Sequence, residues 1–264
     1  VVITGAVAGT SYDFSNISST SGTISLAYAT GGTLNGGTNL GTATVTVADG
    51  QTLTLTAAQA AGKTISNALG GDTDGSVVIT GLDGAAGYDL SNISSTSGTV
   101  TATLAASATL DAGTDLGNTV VTVADGQTLT LTAAQAAGKT ISNALGGDTD
   151  GSVVITGLDG AAGYDLSNIS STSGTVTATL AASATLDAGT DLGNTVVTVA
   201  DGQTLTLTAA QAAGKTISNA LGGDTDGSVV ITGLDGAAGY DLSNISSTSG
   251  TVTATLAASA TLTL

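Results

Sequence analysis

The sequence predicts an all-β fold, a parallel β-solenoid (β-helix) with ~25-residue coils, three to each 76-residue repeat. Three observations predict it. First, two periods are nested. Val1, Val77, Val153 and Val229 each open the string VVITG, and residues 77–152 and 153–228 are identical. Second, Asn67, Asn92, Asn118, Asn143, Asn168, Asn194, Asn219 and Asn244 recur at a near-constant step of about 25 residues, a spacing that marks stacked repeats. Third, runs such as Thr128-Leu129-Thr130-Leu131-Thr132 alternate apolar and hydroxyl residues and are separated by glycine-rich corners.

Residues 1–264 therefore read as one continuous array. It holds the repeats 1–76, 77–152 and 153–228 and a partial repeat 229–264, and it is expected to be a fragment of a longer chain. Within a repeat, the first coil runs from Asp89 to Thr114, the second from Asp115 to Lys139 and the third from Thr140 to Tyr164. In the first coil Val100, Ala102 and Leu104 are expected to point inward and Thr99, Thr101 and Thr103 outward. Leu129 and Leu131 do the same in the second coil, and Val153 and Ile155 in the SVVIT run that closes the third. The Ala-rich run Thr132 to Gly138 has the length of one helical turn ending at a glycine. Leucine-rich repeats share this period, but their L-x-x-L-x-L-x-x-N spacing is missing.

Stacking places equivalent residues of successive coils ~4.8 Å apart. A buried asparagine column can then chain its side-chain amides from coil to coil. The sequence thus suggests a structural ladder of Asn16, Asn67, Asn92, Asn118, Asn143, Asn168, Asn194, Asn219 and Asn244. The first repeat breaks the beat once, with Thr42 where Asn118 stands later.

Composition bounds the function. All 20 acidic residues are Asp; only Lys63, Lys139 and Lys215 oppose them, and the net charge is −17. Such a chain is a poor partner for nucleic acid, whose phosphates must be neutralised. No apolar stretch reaches the ~20 residues that cross a bilayer. Without Cys, His, Glu or Arg there is no thiolate or imidazole chemistry, and a carboxylate pair would have to be two Asp. Asp pairs recur in every repeat, which suggests periodic structure, and no enzymatic activity is expected.

Asp72-Thr73-Asp74-Gly75 recurs at 148–151 and 224–227, and D-x-D-G matches the start of a calcium loop. Asp125 and Asp150 are expected at equivalent levels of successive coils, as are Asp89 and Asp115. Asp72, Asp74, Asp125, Asp148, Asp150, Asp201, Asp224 and Asp226 are therefore the candidate Ca2+ ligands, although the bidentate Glu that closes an EF-hand is missing. The alternative for these residues is plain Asp-Gly turn chemistry. Lys139 is placed to offset Asp115 and Asp165, worth ~0–1 kcal/mol at a surface. Tyr88, Tyr164 and Tyr240 are expected to pack corners, with glycan stacking as the alternative. The outward threonines raise an ice-binding reading, weakened by the third coil's Ser152, Val154 and Thr156.

The phrases VTVADGQTLTLTAAQAAGKTISNALGG and GSVVITGLDGAAGYDLSNISSTSG resemble the repeats of very large bacterial surface proteins, including adhesins and autotransporter-like passengers. The resemblance covers the whole chain and rests on its Thr/Ala/Gly/Asp-rich style. It implies an extracellular, cell-surface setting in which repeats form a stalk or fibre while a separate tip binds. The expected partner of this segment is itself, through end-to-end or lateral contacts; the expected function is structural, with a cation-, ice- or glycan-binding face as the alternative.

Overall fold

The structure is a computed structural model that describes residues 1–66, 74–142, 150–218, 226–235, 239–258 and 260. The chain forms two compact units. One comprises Val1–Leu129 with Thr140–Gly147, the other Thr130–Lys139 with Asp148–Leu264. Each unit is a β-solenoid of short parallel strands, and among the described residues short helices are its only other regular elements.

In the first unit one sheet stacks Val2–Ile3, Ser25–Tyr28, Thr44–Val47, Ile65–Ser66 and Ile93–Ser94 in that order. A second stacks Gly32–Thr33, Thr52–Thr56, Ser76–Thr80, Val100–Leu104, Val120–Val123 and Ile141–Ser142. The second unit repeats the pattern. One sheet runs through Ser152–Thr156, Val176–Leu180, Val196–Val199, Ile217–Ser218 and Ile245–Ser246, the other through Ala184–Thr185, Thr204–Thr208, Ser228–Leu234 and Val252–Leu256.

The strands form where period-two alternation matches the pleat. Val100, Ala102 and Leu104 are buried, as are Leu129, Leu131, Val153 and Ile155. Their neighbours Thr101, Thr128, Thr130 and Val154 are half-exposed. The core is a column of aliphatic side chains: Leu26 lies beneath Val45, Val45 beneath Ile65 and Ile65 beneath Ile93. Each fully buried side chain of this size contributes about 1.5–3 kcal/mol.

The register differs from a uniform coil. Along that column the steps are unequal: Leu26 to Val45 and Val45 to Ile65 are short, and Ile65 to Ile93 is much longer. In the second unit Ala178, Val197, Ile217 and Ile245 repeat the same sequence of steps. Corners absorb the difference. The repeat also changes sheet. Ser25–Tyr28 lies in the first sheet, while its equivalent one repeat later, Val100–Leu104, lies in the second.

The expected helical turn is present. Ala57–Ala60, Ala133–Ala136 and Ala209–Ala212 are each opened by a capping box, in which the preceding threonine and the glutamine of the first turn exchange hydrogen bonds with each other's backbone. Gly62, Gly138 and Gly214 then turn the chain with φ of 65–68°, a left-handed conformation that favours glycine.

Candidate functional site

The predicted asparagine ladder is corrected by the structure. Asn16, Asn92, Asn118, Asn168, Asn194 and Asn244 are exposed; Asn67, Asn143 and Asn219 lie outside the described residues. Each exposed asparagine sits in a turn rather than in the core. Ile93 N–H donates to Leu90 O across Ser91-Asn92 at 3.2 Å, and Thr119 N–H donates to Leu116 O across Gly117-Asn118 at 3.0 Å. The buried residues are the flanking Leu90, Ile93, Leu116 and Thr119. Nor do asparagines meet in every coil. Ile65 pairs with Ile93, so Thr64 fills the level opposite Asn92. The beat records a turn requirement, which Asn meets well.

The preceding aspartate builds that turn. Asp89 Oδ1 accepts from Ser91 N–H at 3.0 Å and from Ser91 Oγ at 2.5 Å, and Asp165 and Asp241 do the same with Ser167 and Ser243. The serine hydroxyl, then its backbone N–H, holds these carboxyls below the usual carboxylate value. Asp89 pairs with Asp115 and Asp165 with Asp191, as the coil alignment predicts. In the second unit this corner also holds Lys215, whose Nζ donates to Gly193 O at 2.7 Å and lies 3.7 Å from Asp191. Lys63 Nζ donates to Gly41 O at 2.6 Å in the first unit.

In the D-x-D-G motif the second aspartate is held by the fold, and the first lies outside the described residues. Asp74, Asp150 and Asp226 are only 7%, 7% and 6% exposed. Asp150 Oδ2 accepts from Thr172 N–H at 3.1 Å and Ser173 N–H at 2.8 Å, while Asp150 N–H donates to Ser173 Oγ at 3.0 Å. Ser171 Oγ donates to Gly151 O at 3.4 Å. Asp74 makes the same set with Ser95, Thr96 and Ser97, and Asp226 with Ser247, Thr248 and Ser249. A buried carboxylate with two backbone donors on one oxygen is a clamp. It fastens the last coil of one repeat to the first coil of the next.

The expected equivalence of Asp125 and Asp150 is also corrected. In both units the ladder is offset by one residue. Ser76 N–H donates to Gln51 O and Ser228 N–H to Gln203 O, which sets Asp74 opposite Gly50 and Asp226 opposite Gly202. The Asp-Gly aspartates of the second coil, Asp125 and Asp201, are therefore exposed while those of the third are buried. Asp72, Asp148 and Asp224 lie outside the described residues. Among the described residues no three acidic side chains converge as a metal cluster.

Sequence reasoning missed the Ser-Ser-Thr-Ser-Gly half of the clamp. Its signal was available: Ser97, Ser173 and Ser249 follow Asp74, Asp150 and Asp226 at one constant offset. The glycine is needed because a Cβ on Gly98 would run into Gly75 O and Asp74 O.

Tyr88 and Tyr164 pack corners as expected, whereas Tyr240 is half-exposed. Tyr88 and Tyr164 are buried, and their hydroxyls donate to Asp83 and Asp159 at 2.7 Å. The hydrogen bond to Asp83 raises the Tyr88 pKa and lowers that of Asp83.

Two further surfaces stand out. A shallow cleft of about 450 Å³ lies between Thr190-Asp191 and the helical turn that carries Gln211, with Lys215 on its wall. Gln211 Nε2 is engaged by Asp187 O at 2.7 Å and Thr190 O at 3.3 Å, so this donor is spent on the fold. The second surface is the outer face of a sheet. In register, Thr52 pairs with Ser76, Thr54, Val78, Thr101 and Val120 form a column, and beside it Thr56 pairs with Thr80 and Thr103 with Thr122. The interruption expected from the third coil is confined to that column; the flanking pairs carry only hydroxyls.

Comparison of the chain with protein-family models, with curated proteins and with solved structures returned no match.

Proposed function

We propose that this chain is a structural spacer: an extracellular solenoid segment of a bacterial surface protein, an adhesin-like stalk or fibre whose length is set by the number of repeats it contains. The clamp carries the reading. It joins repeat to repeat three times with the same partners, at Asp74, Asp150 and Asp226. Adding one repeat adds one clamp and one set of strand pairs, and it creates no new kind of contact. Quasi-one-dimensional proteins gain length in this way. The side chains best placed for chemistry, the buried aspartates and the cleft glutamine, are bound to the backbone, which favours a fastening role over catalysis.

End-to-end association of copies of this segment, taken by itself, belongs to the same proposal. The strands Val2–Ile3 and Val252–Leu256 carry exposed apolar side chains, with Val2 at 73% and Leu256 at 47%. Exposed strand edges of this kind recruit further strands. Two measurements test the reading. Proteins with one repeat more and one repeat fewer are compared by small-angle scattering, where particle length must change by a constant increment. Length is then followed against concentration, where a strictly constant value would end the assembly proposal. Labelling of intact cells by antibody tests the surface location.

A second reading, an ordered-water face, is supported by the hydroxyl pairs flanking Thr54-Val78-Thr101-Val120. Its test is inhibition of ice recrystallisation, lost on Thr101→Lys; no activity in the unmodified chain removes it.

A further inference from the structure

We propose that Asn35-Gly36 is a site of spontaneous covalent modification, at which the asparagine closes on the Gly36 nitrogen and becomes aspartate. It is the chain's one Asn-Gly pair; every other asparagine precedes Ile, Leu, Thr or Ala. Both residues are exposed, and a Cβ built on Gly36 would meet nothing, so no neighbouring side chain crowds this corner. The Gly37 N–H donates to Asn35 Oδ1 at 3.0 Å. That bond draws electron density from Cγ, and the exposure of Asn35 gives water access to the side chain.

In the reaction the Gly36 nitrogen loses its proton to water and attacks Cγ. A new C–N bond forms at Cγ, the side-chain amide nitrogen takes a proton back from water, its bond to Cγ breaks so that ammonia departs, and a five-membered imide remains. Water then opens the imide. Attack at Cγ restores the ordinary main chain and yields aspartate. Attack at the main-chain carbonyl yields the β-linked isomer, with an extra methylene in the backbone.

The fold already holds the first product elsewhere. Asn35 stands where the later repeats have Asp111 and Asp187. Those carboxylates accept from Gly113 and Gly189 N–H at 2.8 Å, the bond that Asn35 makes with Gly37. The main chain is pinned on both sides. Asn35 N–H donates to Ala8 O at 3.0 Å, and Asn35 O accepts from Thr38 N–H at 2.9 Å and Gln59 Nε2 at 2.9 Å. Gln211 grips Asp187 O in the same manner at 2.7 Å. An added methylene would disturb these bonds, whereas aspartate leaves them in place, so the folded chain directs the imide to the ordinary product. Modification gives the first repeat the corner carboxylate of the others.

The test is incubation of the folded protein at mildly alkaline pH, cleavage after Lys63, and mass spectrometry of the 1–63 fragment with fragmentation to locate the change. The expected result is a gain of one mass unit at Asn35 and none at Asn16 or Asn39. The product should co-elute with the same fragment from Asn35→Asp, and the gain should be lost in Gly36→Ala, which introduces the residue found at Ala112. Three results would overturn the proposal: an intact amide over a time in which the urea-unfolded chain converts, equal conversion at Asn39, or undiminished conversion in Gly36→Ala. A predominantly β-linked product in the folded protein would overturn the claim that the fold receives aspartate.

Discussion

Asp150→Ala should open the fastening between two repeats. Asp150 Oδ2 accepts from Thr172 N–H at 3.1 Å and from Ser173 N–H at 2.8 Å, and the residue is 7% exposed. Hydrogen bonds to a charged acceptor are worth about 1.5–3 kcal/mol each, and donors left unsatisfied in a buried site cost a further amount unless water enters. Two such bonds, with some water admitted at this partly open corner, give an expected destabilisation of about 3–4 kcal/mol. Asp150→Asn keeps an acceptor oxygen and loses the charge, for about 1 kcal/mol. Asp201→Ala, at an exposed turn, should lie within about 0.5 kcal/mol of the parent. Urea unfolding followed by circular dichroism gives the ranking. Amide hydrogen exchange gives the location, because only the clamp variants should accelerate the Thr172 and Ser173 amides. A melt of Asp150→Ala indistinguishable from Asp201→Ala, with both amides still protected, would refute the reasoning. The same melts with calcium and with chelator separate the metal reading: a calcium-dependent gain in the parent, absent in Asp150→Ala, would replace the hydrogen-bond account.

Thr195 Oγ1 is buried at 1% exposure without a partner, so Thr195→Val should raise the unfolding midpoint by an amount corresponding to about 1 kcal/mol; a lower midpoint would show that the hydroxyl is satisfied. A Cβ on Gly160 would collide with Thr185 O, so Gly160→Ala should cost more than about 2 kcal/mol, a loss read by the same melt and contradicted by one within about 0.5 kcal/mol of the parent. The pH profile has two limbs. Asp83, Asp89, Asp165 and Asp241 have folded pKa values below their ordinary 3.8, so their contribution is present above about pH 4 and is lost as pH falls below it. Burial pushes Tyr28 from 10.0 up to about 12, so its contribution is complete below pH 10 and is lost between 10 and about 12. Tyr28→Phe should abolish the Tyr28 share of the alkaline limb while leaving the acid limb alone, which melts across pH would show.

Much of the fold was legible because alternation leaves little choice. Once Val100, Ala102 and Leu104 share a side, burying them fixes the outward set, and stacking fixes parallel pairing. The helical turn was legible from the alanine-rich run that ends at Gly138, whereas the capping box of Thr132 and Gln135 was not read from the sequence. The asparagines misled because periodicity says that a residue meets the same environment in each coil and is silent on which environment. A turn selects Asn as strongly as a buried amide ladder does. The register was hidden for a related reason. Counting between asparagines counts corner residues too, and the corners are where the step from Val197 to Ile217 and the longer one from Ile217 to Ile245 differ. The clamp was half legible. Asp-Thr-Asp-Gly is visible as a charged motif. Ser-Ser-Thr-Ser-Gly carries no charge and its partner lies in the preceding coil, so its role shows only when the two segments are aligned at the stacking offset.

These features together explain why near-perfect duplication follows the whole repeat and not the single coil. A coil cannot be exchanged for its neighbour. The first coil supplies the serine half of the clamp, the second the capped helical turn and its lysine, and the third the buried aspartate. A further constraint comes from the sheets, since Ser25–Tyr28 and Val100–Leu104 occupy the same place in the repeat and different sheets. Removing one coil would therefore leave an aspartate facing a coil without its serines and would shift strands against the wrong column. Removing a whole repeat returns every clamp to an equivalent partner and every strand to an equivalent neighbour. Length can thus vary freely in steps of one repeat at constant local stability. The same contacts that fasten the stack decide the increment by which it can grow.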